Sequence, residues 1–251
     1  MPCHHFSNMN KSVFITGASG GIGSAVAIRL AEDGFDVAAT YNLDRQGAEK
    51  LKAHIELLGK KCQIYQLDVS NSEEVNKVIE EAMKEFGDFF ALVNCAGIAL
   101  QKLFNRTTDE DFEKLCSVNF KGVFNTCRAC VPLMLKHHKG KIINISSMWG
   151  TFGASCEVVY SATKAAVIGL TKALGRELAP SNIQVNCIAP GAISTKMNDI
   201  LTEEEKEDFA KEIPMERFGL PEEIAGVVSF LASEDSSYTT SQVITVDGGL
   251  T

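Results

Sequence analysis

Residues 12–23 have the sequence SVFITGASGGIG, an apolar run followed by closely spaced glycines. The run from Ser12 to Thr16 is typical of a buried strand, and helical spacing of apolar residues predicts a helix over residues 21–33. Glycines between a strand and a helix suit a phosphate-binding turn, since Gly17 permits a tight turn and Gly21 lets the backbone approach a pyrophosphate. Gly23 lets the helix pack closely on the strand. The stretch predicts the opening of a dinucleotide-binding α/β fold.

The same alternation of apolar runs and helical periods continues to the end of the chain. Further strands are predicted over residues 36–41, 62–67, 89–94, 141–146, 183–188 and 242–246, and helices over residues 45–58, 72–86, 109–137 and 160–178. Pro132 predicts a kink or break in the third of these helices. Strands rich in Val, Ile and Ala indicate a parallel sheet covered by helices on both faces, and right-handed crossovers make it doubly wound. The expected fold is a single doubly wound Rossmann domain, an α/β class, over residues 11–251.

Two irregular stretches, residues 150–159 and 191–203, follow the carboxyl ends of strands, where open α/β sheets bind ligands. They are candidates for a substrate wall and lid, with ordinary surface loops as the alternative. Residues 1–10 are interpreted as a loose polar leader, and either Met1 or Met9 is the natural start. This leader has no apolar core, so no signal peptide is expected.

Composition narrows the classes of function. The chain has 251 residues, 45% of them hydrophobic and 22% charged, with a formal net charge of -8. The negative charge argues against general nucleic-acid binding, and no apolar run approaches the ~20 residues that span a bilayer. Eight scattered cysteines fit buried thiols in a reducing cytoplasm. Cys127 and Cys130 form a CxxC without a second pair or a histidine at ligand spacing, so we expect no metal site.

Tyr160 and Lys164 are four residues apart, with Ser147 upstream of both. On a helix they lie on one face, one turn apart. An ammonium group beside a phenol favours the phenolate and lowers the tyrosine pKa, so the phenol can exchange a proton with a carbonyl or alcohol oxygen. The alternative is that an exposed tyrosine and lysine only stabilise a helix. The glycine turn favours the chemical interpretation, a proton transferred alongside a hydride.

Several motifs together resemble the short-chain dehydrogenase/reductase family over about residues 11–251. The glycine spacing is Gly-x3-Gly-x-Gly, Leu67-Asp68-Val69 matches the segment that meets the adenine, and Pro190-Gly191-Ala192-Ile193-Ser194-Thr195 matches the segment that holds the nicotinamide carboxamide. Asn94-Cys95-Ala96-Gly97 matches the family's Asn-Asn-Ala-Gly motif, from which Cys95 departs. The resemblance implies an NAD(P)H-dependent oxidoreductase.

The resemblance also implies residue roles. Tyr160 is expected to be the general acid of carbonyl reduction or the base of alcohol oxidation. Lys164 is expected to lower the tyrosine pKa and hold the nicotinamide ribose, and Ser147 to hydrogen-bond the substrate oxygen. Asn119 is expected to anchor a water that links Lys164 to solvent. The residues expected to contact the cofactor are Gly17, Ser19, Gly20, Gly21, Ile22, Gly23, Tyr41, Asn42, Asp68, Val69, Asn94, Ala96, Gly97, Tyr160, Lys164, Pro190, Gly191, Ile193 and Thr195.

The choice between NADP(H) and NAD(H) depends on what meets the ribose 2′ position. Tyr41 stands where NAD-dependent relatives usually carry aspartate, so no anion repels a 2′-phosphate. Gly20 and Asn42, however, stand where NADP-dependent relatives often carry a basic residue. NADP(H) is the favoured cofactor, with Arg45 as the nearest candidate cation, although a solvated charge at a helix start is an equally good interpretation of Arg45.

The broad resemblance is to 3-oxoacyl-acyl-carrier-protein reductases, which implies a ketone substrate on a carrier protein and a homotetramer with contacts in residues 215–231 and 242–251. A narrower resemblance, over residues 146–160, is to elongation factor P 5-aminopentanone reductases. Glu157 is then a candidate partner for the substrate ammonium and Trp149 a candidate pocket wall. Alternatively, Glu157 favours a helix start and Trp149 fills space between loops.

Two other kinds of function stay open from the sequence. One is a dehydrogenase of a free small alcohol, such as a sugar alcohol or a hydroxysteroid. The other is a nucleotide-sensing protein that no longer catalyses a reaction, against which the intact set of Ser147, Tyr160, Lys164 and Asn119 argues.

Overall fold

A computed structural model describes residues 11–196 and 202–251 of the chain. The predicted leader, with its alternative start at Met9, lies outside them, as do residues 197–201 of the predicted loop 191–203. The described strands are β1 (Ser12–Thr16), β2 (Asp36–Tyr41), β3 (Cys62–Gln66), β4 (Ala91–Asn94), β5 (Gly140–Ile145), β6 (Ile183–Pro190) and β7 (Val243–Val246).

These strands form one parallel sheet in the order β3-β2-β1-β4-β5-β6-β7. The chain moves outward from β1 through β2 to β3, then returns to pair β4 with the other side of β1. The strand order therefore reverses between β1 and β4, and open α/β sheets bind ligands beyond the carboxyl ends of strands at such a point. The predicted doubly wound α/β fold is confirmed.

Helices cover both faces of the sheet. They are α1 (Gly21–Glu32), α2 (Arg45–Leu57), α3 (Ser72–Phe86), α4 (Asp109–Cys116), α5 (Gly122–His137), α6 (Trp149–Phe152), α7 (Val158–Leu178), α8 (Glu203–Glu212) and α9 (Pro221–Ala232). Successive side chains of a strand point to opposite faces, so Val13 and Ile15 enter a core with α1, α2 and α9, whereas Phe14 enters a core with α3, α5 and α7. Burial on both faces explains why β1 is entirely apolar apart from its two end residues.

The predicted helix over residues 109–137 is interrupted, but not at Pro132. A π turn, Ser117–Lys121, joins α4 to α5, whereas α5 continues through the proline to His137. Cys127, Cys130 and Met134 flank the proline and are buried in the second core, so packing holds this helix together in spite of the missing N–H donor.

The other predicted bounds agree with the structure within two residues. Three helices were not predicted: α6, which overlaps the start of the expected loop 150–159, and α8 and α9 near the end of the chain. Among the described residues, no helix combines the length and the apolar character that crossing a bilayer requires.

Candidate active site

Two joined cavities lie beyond the carboxyl ends of the central strands. We call the first, of about 510 Å³, the glycine-turn cavity, because Gly17 and residues 19–23 line much of it. The second, of about 390 Å³, is the tyrosine cavity, lined by Ser147, Tyr160 and Lys164. Five residues border both cavities: Ile22, Cys95, Gly97, Thr195 and Lys196. The two cavities therefore form one continuous groove with a phosphate-binding turn at one end and titratable groups at the other.

The glycine turn is built for close backbone contact. Gly17 has φ +66°, and a Cβ atom there would lie 2.8 Å from the Cα of Ala96. A Cβ on Gly23 would lie 2.2 Å from the carbonyl oxygen of Gly17, so α1 packs directly on the turn. Gly20 differs, because a Cβ there would meet no heavy atom within 4 Å. The turn therefore holds its backbone tightly at Gly17 and Gly23 and leaves open space at Gly20.

Thr16, which the sequence reasoning did not single out, aligns the segment after β4. Its Oγ1 accepts hydrogen bonds from the backbone N–H groups of Cys95 and Ala96, each at 3.1 Å. The groove is consequently lined by Cys95, Ala96 and Gly97. Ala96 and Gly97 were predicted to contact the cofactor, and Cys95 is the residue that departs from the family motif. A threonine that ends a strand just before the glycine turn is the sequence signal that could have identified this contact.

Asn94 was predicted to contact the cofactor, but the structure places it outside both cavities. It is buried, its Nδ2 donates to Asn144 Oδ1 at 2.9 Å, and its Oδ1 accepts from Thr126 Oγ1 at 2.7 Å. Asn144 in turn donates to Thr171 Oγ1 at 2.9 Å. Asn94, at the end of β4, thus belongs to a buried hydrogen-bond network that connects β4 and β5 with α5 and α7.

Tyr160 and Ser147 meet in the tyrosine cavity. Tyr160 lies in the first turn of α7 and Ser147 just beyond β5, and both side chains line this cavity. Ser147 Oγ also accepts from the backbone N–H of Trp149 at 3.2 Å, which fixes its rotamer. Both residues border the cavity although only 8% and 7% of their surfaces are exposed. Two largely buried hydroxyl groups therefore border the same cavity.

The pKa of Tyr160 is not lowered, in contrast to the prediction. Burial raises it to about 12, the neighbouring Ser147 hydroxyl opposes this, and the carboxylate of Glu157 raises it further. Lys164 does not offset the burial because its Nζ donates to the carbonyl oxygen of Ile145 at 3.0 Å and lies 5.7 Å from the Tyr160 ring centre. Burial also lowers the pKa of Lys164 itself to about 8. Desolvation thus decides the protonation of both groups.

Asn119 lies in the π turn, behind the tyrosine cavity rather than on its wall. It is fully buried; its Nδ2 donates to Ile98 O at 2.9 Å and to Thr163 Oγ1 at 3.2 Å, and its Oδ1 accepts from Ile98 N at 2.8 Å. A Cβ on Gly97 would contact both Asn119 Oδ1 and Lys164 Nζ, at 3.4 and 3.3 Å. Asn119 is therefore close to Lys164 and holds the segment after β4 in place.

Trp149 and Glu157 both line the tyrosine cavity. Glu157 is the N-cap residue of α7, but its side chain makes no capping hydrogen bond. Burial raises the pKa of its carboxyl group, and no other group contributes to this shift. Gln101 and Phe209, which the sequence reasoning missed, complete this wall. An acidic group and an aromatic ring therefore face the place where a substrate would lie.

The remaining predicted cofactor residues border the groove. Ser19, Tyr41, Asn42, Asp68 and Val69 line the glycine-turn cavity together with the glycines of the turn, and Pro190, Gly191, Ile193 and Thr195 line the tyrosine cavity. Arg45, by contrast, is not part of the lining, and its Nε pairs with Glu49 Oε1 at 2.9 Å. In this structure Arg45 therefore does not face the place where a 2′-phosphate would bind.

The groove fits a nicotinamide dinucleotide. Its glycine end offers a backbone turn in which a side chain at position 17 would clash, and its other end holds two hydroxyl groups and an ammonium group. No carboxylate stands at Tyr41, the end residue of β2. Gly20, Gly21 and Ile22 would hold the phosphates, Asp68 and Val69 would border the adenine, and Lys164 would lie at the nicotinamide end.

Within residues 11–196 and 202–251, no group of three or more His, Cys, Asp or Glu side chains is placed to hold a metal ion. Cys127 and Cys130, the CxxC pair, are buried in α5. Burial raises the pKa of Cys127 to about 12 and raises that of Cys130 as well. Both thiols stay protonated at neutral pH, so neither is a nucleophile.

Comparison with known proteins points in the same direction as the geometry. A family model described as enoyl-(acyl carrier protein) reductase matches residues 17–251. The chain is 42% identical over 242 residues to the 3-oxoacyl-[acyl-carrier-protein] reductase FabG of Staphylococcus aureus, covering 96% of this chain and 98% of that protein. The FabG proteins of Thermotoga maritima and Chlamydia trachomatis are 42% and 38% identical over 96% of this chain, which corresponds to 97% and 98% of their lengths.

These matches extend over the glycine turn, the serine, tyrosine and lysine of the tyrosine cavity, and the parallel sheet that positions them. The chain belongs to the short-chain dehydrogenase/reductase family.

Proposed function

We propose that the protein reduces a ketone to a secondary alcohol with NADP(H), on a 3-oxoacyl group carried by acyl-carrier protein. The observation that carries this proposal is that two hydroxyl groups, Ser147 and Tyr160, line one cavity together with the buried Lys164. The curated relatives, named as 3-oxoacyl-[acyl-carrier-protein] reductases at about 42% identity, support the substrate class. The neutral Tyr41 at the ribose end supports NADP(H).

The protonation states favour reduction rather than oxidation. When bound, the nicotinamide supplies the hydride. With a pKa of about 12, Tyr160 keeps its proton at neutral pH and can donate it to the carbonyl oxygen as negative charge develops there. Ser147 donates a second hydrogen bond to the same oxygen. Lys164, with a pKa of about 8, titrates near neutral pH and can return a proton to Tyr160.

Two kinds of acyl-carrier chemistry are named by the comparisons, the reduction of a carbon–carbon double bond and the reduction of a ketone. The paired hydroxyl groups favour the ketone, because two donors aimed at one oxygen stabilise an alkoxide. Purified protein with NADPH is the direct test, using acetoacetyl and crotonyl thioesters as matched substrates and absorbance of NADPH as the readout. Oxidation of NADPH with the ketone is the expected result, and consumption with crotonyl thioester alone would overturn the proposal.

A narrower substrate is the aminopentanone group on a lysine of elongation factor P. Glu157 and Trp149 support it, since an ammonium group entering the tyrosine cavity would meet a carboxylate that has no side-chain partner among the described residues and an aromatic ring. The substitution Glu157→Gln keeps the shape of the wall and removes the charge. It is expected to raise KM for an amine-tipped ketone by about tenfold, the scale of one lost charge-assisted contact, and to leave acetoacetyl thioester nearly unaffected.

Glu73→Gln, an exposed carboxylate in the first turn of α3, is the matched control for that experiment. Equal effects of Glu157→Gln on both substrates would show that Glu157 does not pair with the ammonium group of the substrate. Activity of the wild-type protein with aminopentanone-modified elongation factor P, measured beside acyl-carrier-protein substrates, then decides between the narrower and the broader substrate.

A homotetramer is part of the proposal. Large apolar side chains are exposed on several helices and near the end of the chain, at Phe112, Phe120, Phe124, Met215, Leu220 and Phe230. Light scattering after size-exclusion chromatography tests the tetramer, which a monomer at micromolar concentration would rule out. A cytoplasmic location, which suits the free cysteines, stays a prediction. The comparisons do not favour a dehydrogenase of free alcohols or a non-catalytic sensor.

A further inference from the structure

The ribose end of the glycine-turn cavity has little positive charge of its own. Tyr41, Asn42 and Leu43, the residues that follow along β2 into the loop, are uncharged, and Gly20 opposite them has no side chain. Arg45, the cation nearest in sequence, pairs through Nε with Glu49 Oε1 at 2.9 Å and lies off the cavity wall. A doubly charged 2′-phosphate would therefore need a cation that reaches this end from elsewhere in the fold.

Two described lysines line the cavity, Lys114 of α4 and Lys196 of the segment after β6. Lys196 borders both cavities and so stands where the groove passes from one to the other. Its Nζ lies 4.0 Å from Oδ2 of Asp44, the residue that opens α2 beside the ribose end. Lys196 thus extends across the groove, from the segment after β6 to the loop between β2 and α2.

Asp44 holds a fixed place in this arrangement. Its side chain is the N-cap of α2, and Oδ1 accepts from the backbone N–H of Gly47 at 2.8 Å. A Cβ on Gly47 would lie 2.4 Å from the carbonyl oxygen of Ser19, so the start of α2 packs directly on the glycine turn. The carboxylate is consequently held at the ribose end, where it would repel a phosphate unless a cation neutralises it.

We propose that Lys196 is the residue that selects NADP(H) in this protein, by pairing with the 2′-phosphate across the groove while it neutralises Asp44. This inference rests on the proposed cofactor and adds to it a specificity-determining residue outside the glycine turn and outside the loop after β2. Lys196 is 88% exposed in its side chain, so its ammonium group can turn toward an incoming phosphate and stay beside Asp44 at little cost in folding.

The experiment measures binding and needs no turnover. Calorimetric titration with 2′,5′-ADP and with 5′-AMP isolates the contribution of one phosphate, because the two ligands differ only at the 2′ position. Lys196→Ala is expected to weaken 2′,5′-ADP by roughly three- to tenfold at low salt, less at higher salt, and to leave 5′-AMP unchanged. Arg45→Ala, which removes a cation outside the cavity lining, is the matched charge control and is expected to preserve the preference for 2′,5′-ADP.

Asp44→Asn supplies the converse test, since asparagine keeps the helix cap and removes the charge. It is expected to tighten 2′,5′-ADP by about twofold or more, because Lys196 is then released toward the phosphate. Equal weakening of both ligands by Lys196→Ala, or a loss of the preference in Arg45→Ala instead, would overturn the inference. If the wild-type protein does not prefer 2′,5′-ADP, the proposed NADP(H) cofactor fails; if it does and Lys196→Ala changes nothing, only the role of Lys196 fails.

Discussion

The ammonium group of Lys164 donates to the carbonyl oxygen of Ile145 at 3.0 Å, at the end of the strand that precedes Ser147. One cause, burial, moves two pKa values in opposite directions: that of Lys164 falls to about 8 and that of Tyr160 rises to about 12. At neutral pH both groups therefore hold a proton. This is the protonation that an enzyme needs in order to reduce a ketone.

Tyr160→Phe removes the proposed acid without changing the shape of the cavity. We expect kcat to fall by about 10²-fold or more, the scale of general acid catalysis, while binding of 2′,5′-ADP stays within twofold of wild type. Tyr65→Phe, on β3 at the far edge of the sheet, is the control and is expected to keep full turnover. Full turnover in Tyr160→Phe would exclude this phenol from the reaction.

The buried ammonium group of Lys164 reduces the stability of the folded protein. Its pKa is about 8 in the folded protein and 10.5 for an ordinary lysine in an unfolded chain, so the unfolded state binds more protons between these pH values. The free energy of unfolding therefore rises with pH from about 8 to about 10.5, and the full penalty is present below pH 8.

Lys164→Met is expected to raise the free energy of unfolding at pH 7 by up to about 3 kcal/mol, less about 1 kcal/mol for the lost bond to Ile145. The advantage over wild type should shrink steadily between pH 8 and pH 10, as urea unfolding at a series of pH values will show. A difference that is independent of pH would mean that this ammonium group does not titrate in that range.

Gly17 and Gly20 are expected to respond differently to alanine. Gly17→Ala places a Cβ 2.8 Å from a backbone atom at φ +66°, so we expect a loss of about 1–3 kcal/mol in stability and loss of nucleotide binding. Gly20→Ala enters open space and is expected to fold and bind normally. Thermal unfolding with and without 2′,5′-ADP compares the two. Equal tolerance at both positions would contradict the described turn.

A substitution at Asn94 tests whether this residue has a structural or a cofactor-binding role. Asn94→Ala leaves the buried Oδ1 of Asn144 without its donor, whereas Thr126 keeps the backbone carbonyls of Gly122 and Val123, so we expect the free energy of unfolding to fall by about 1–3 kcal/mol. Asn105→Ala, at an exposed position, is the control, and chemical denaturation is the measurement. Unchanged stability together with weakened nucleotide binding would return Asn94 to the cofactor site, where its sequence motif first placed it.

Apolar periodicity was enough to predict the sheet and most helices. Each strand that is buried on both faces, such as β1, leaves a continuous apolar run, and α3 has a regular buried stripe that includes Val75 and Ile79. Helix α8 was missed because it buries no residue and so has no stripe. The capping box between Thr202 and Glu205 was its available signal, as Pro221 at the start was for α9.

The sequence predicted which residues line the candidate site better than it predicted their pKa values. Motif spacing brings Ser147, Tyr160 and Lys164 to one cavity. Helical spacing alone placed the ammonium beside the phenol, but it contains no information about desolvation or about the competing carbonyl of Ile145. Lys196 could not be predicted either, because its contact with Asp44 joins residues that are distant in the sequence.

The π turn at Ser117–Lys121 makes the site sensitive to chain length. A π turn holds one residue more than an α-helical turn, so deleting a single residue there would restore a regular helix and rotate α4 by about 100° relative to α5. Asn119 would then face away from Ile98 and Thr163. In the present structure its hydrogen bonds connect these two residues, one after β4 and one on α7 next to Lys164. A one-residue deletion in this helix would therefore misalign the site from behind, even though every residue that lines the groove would be retained.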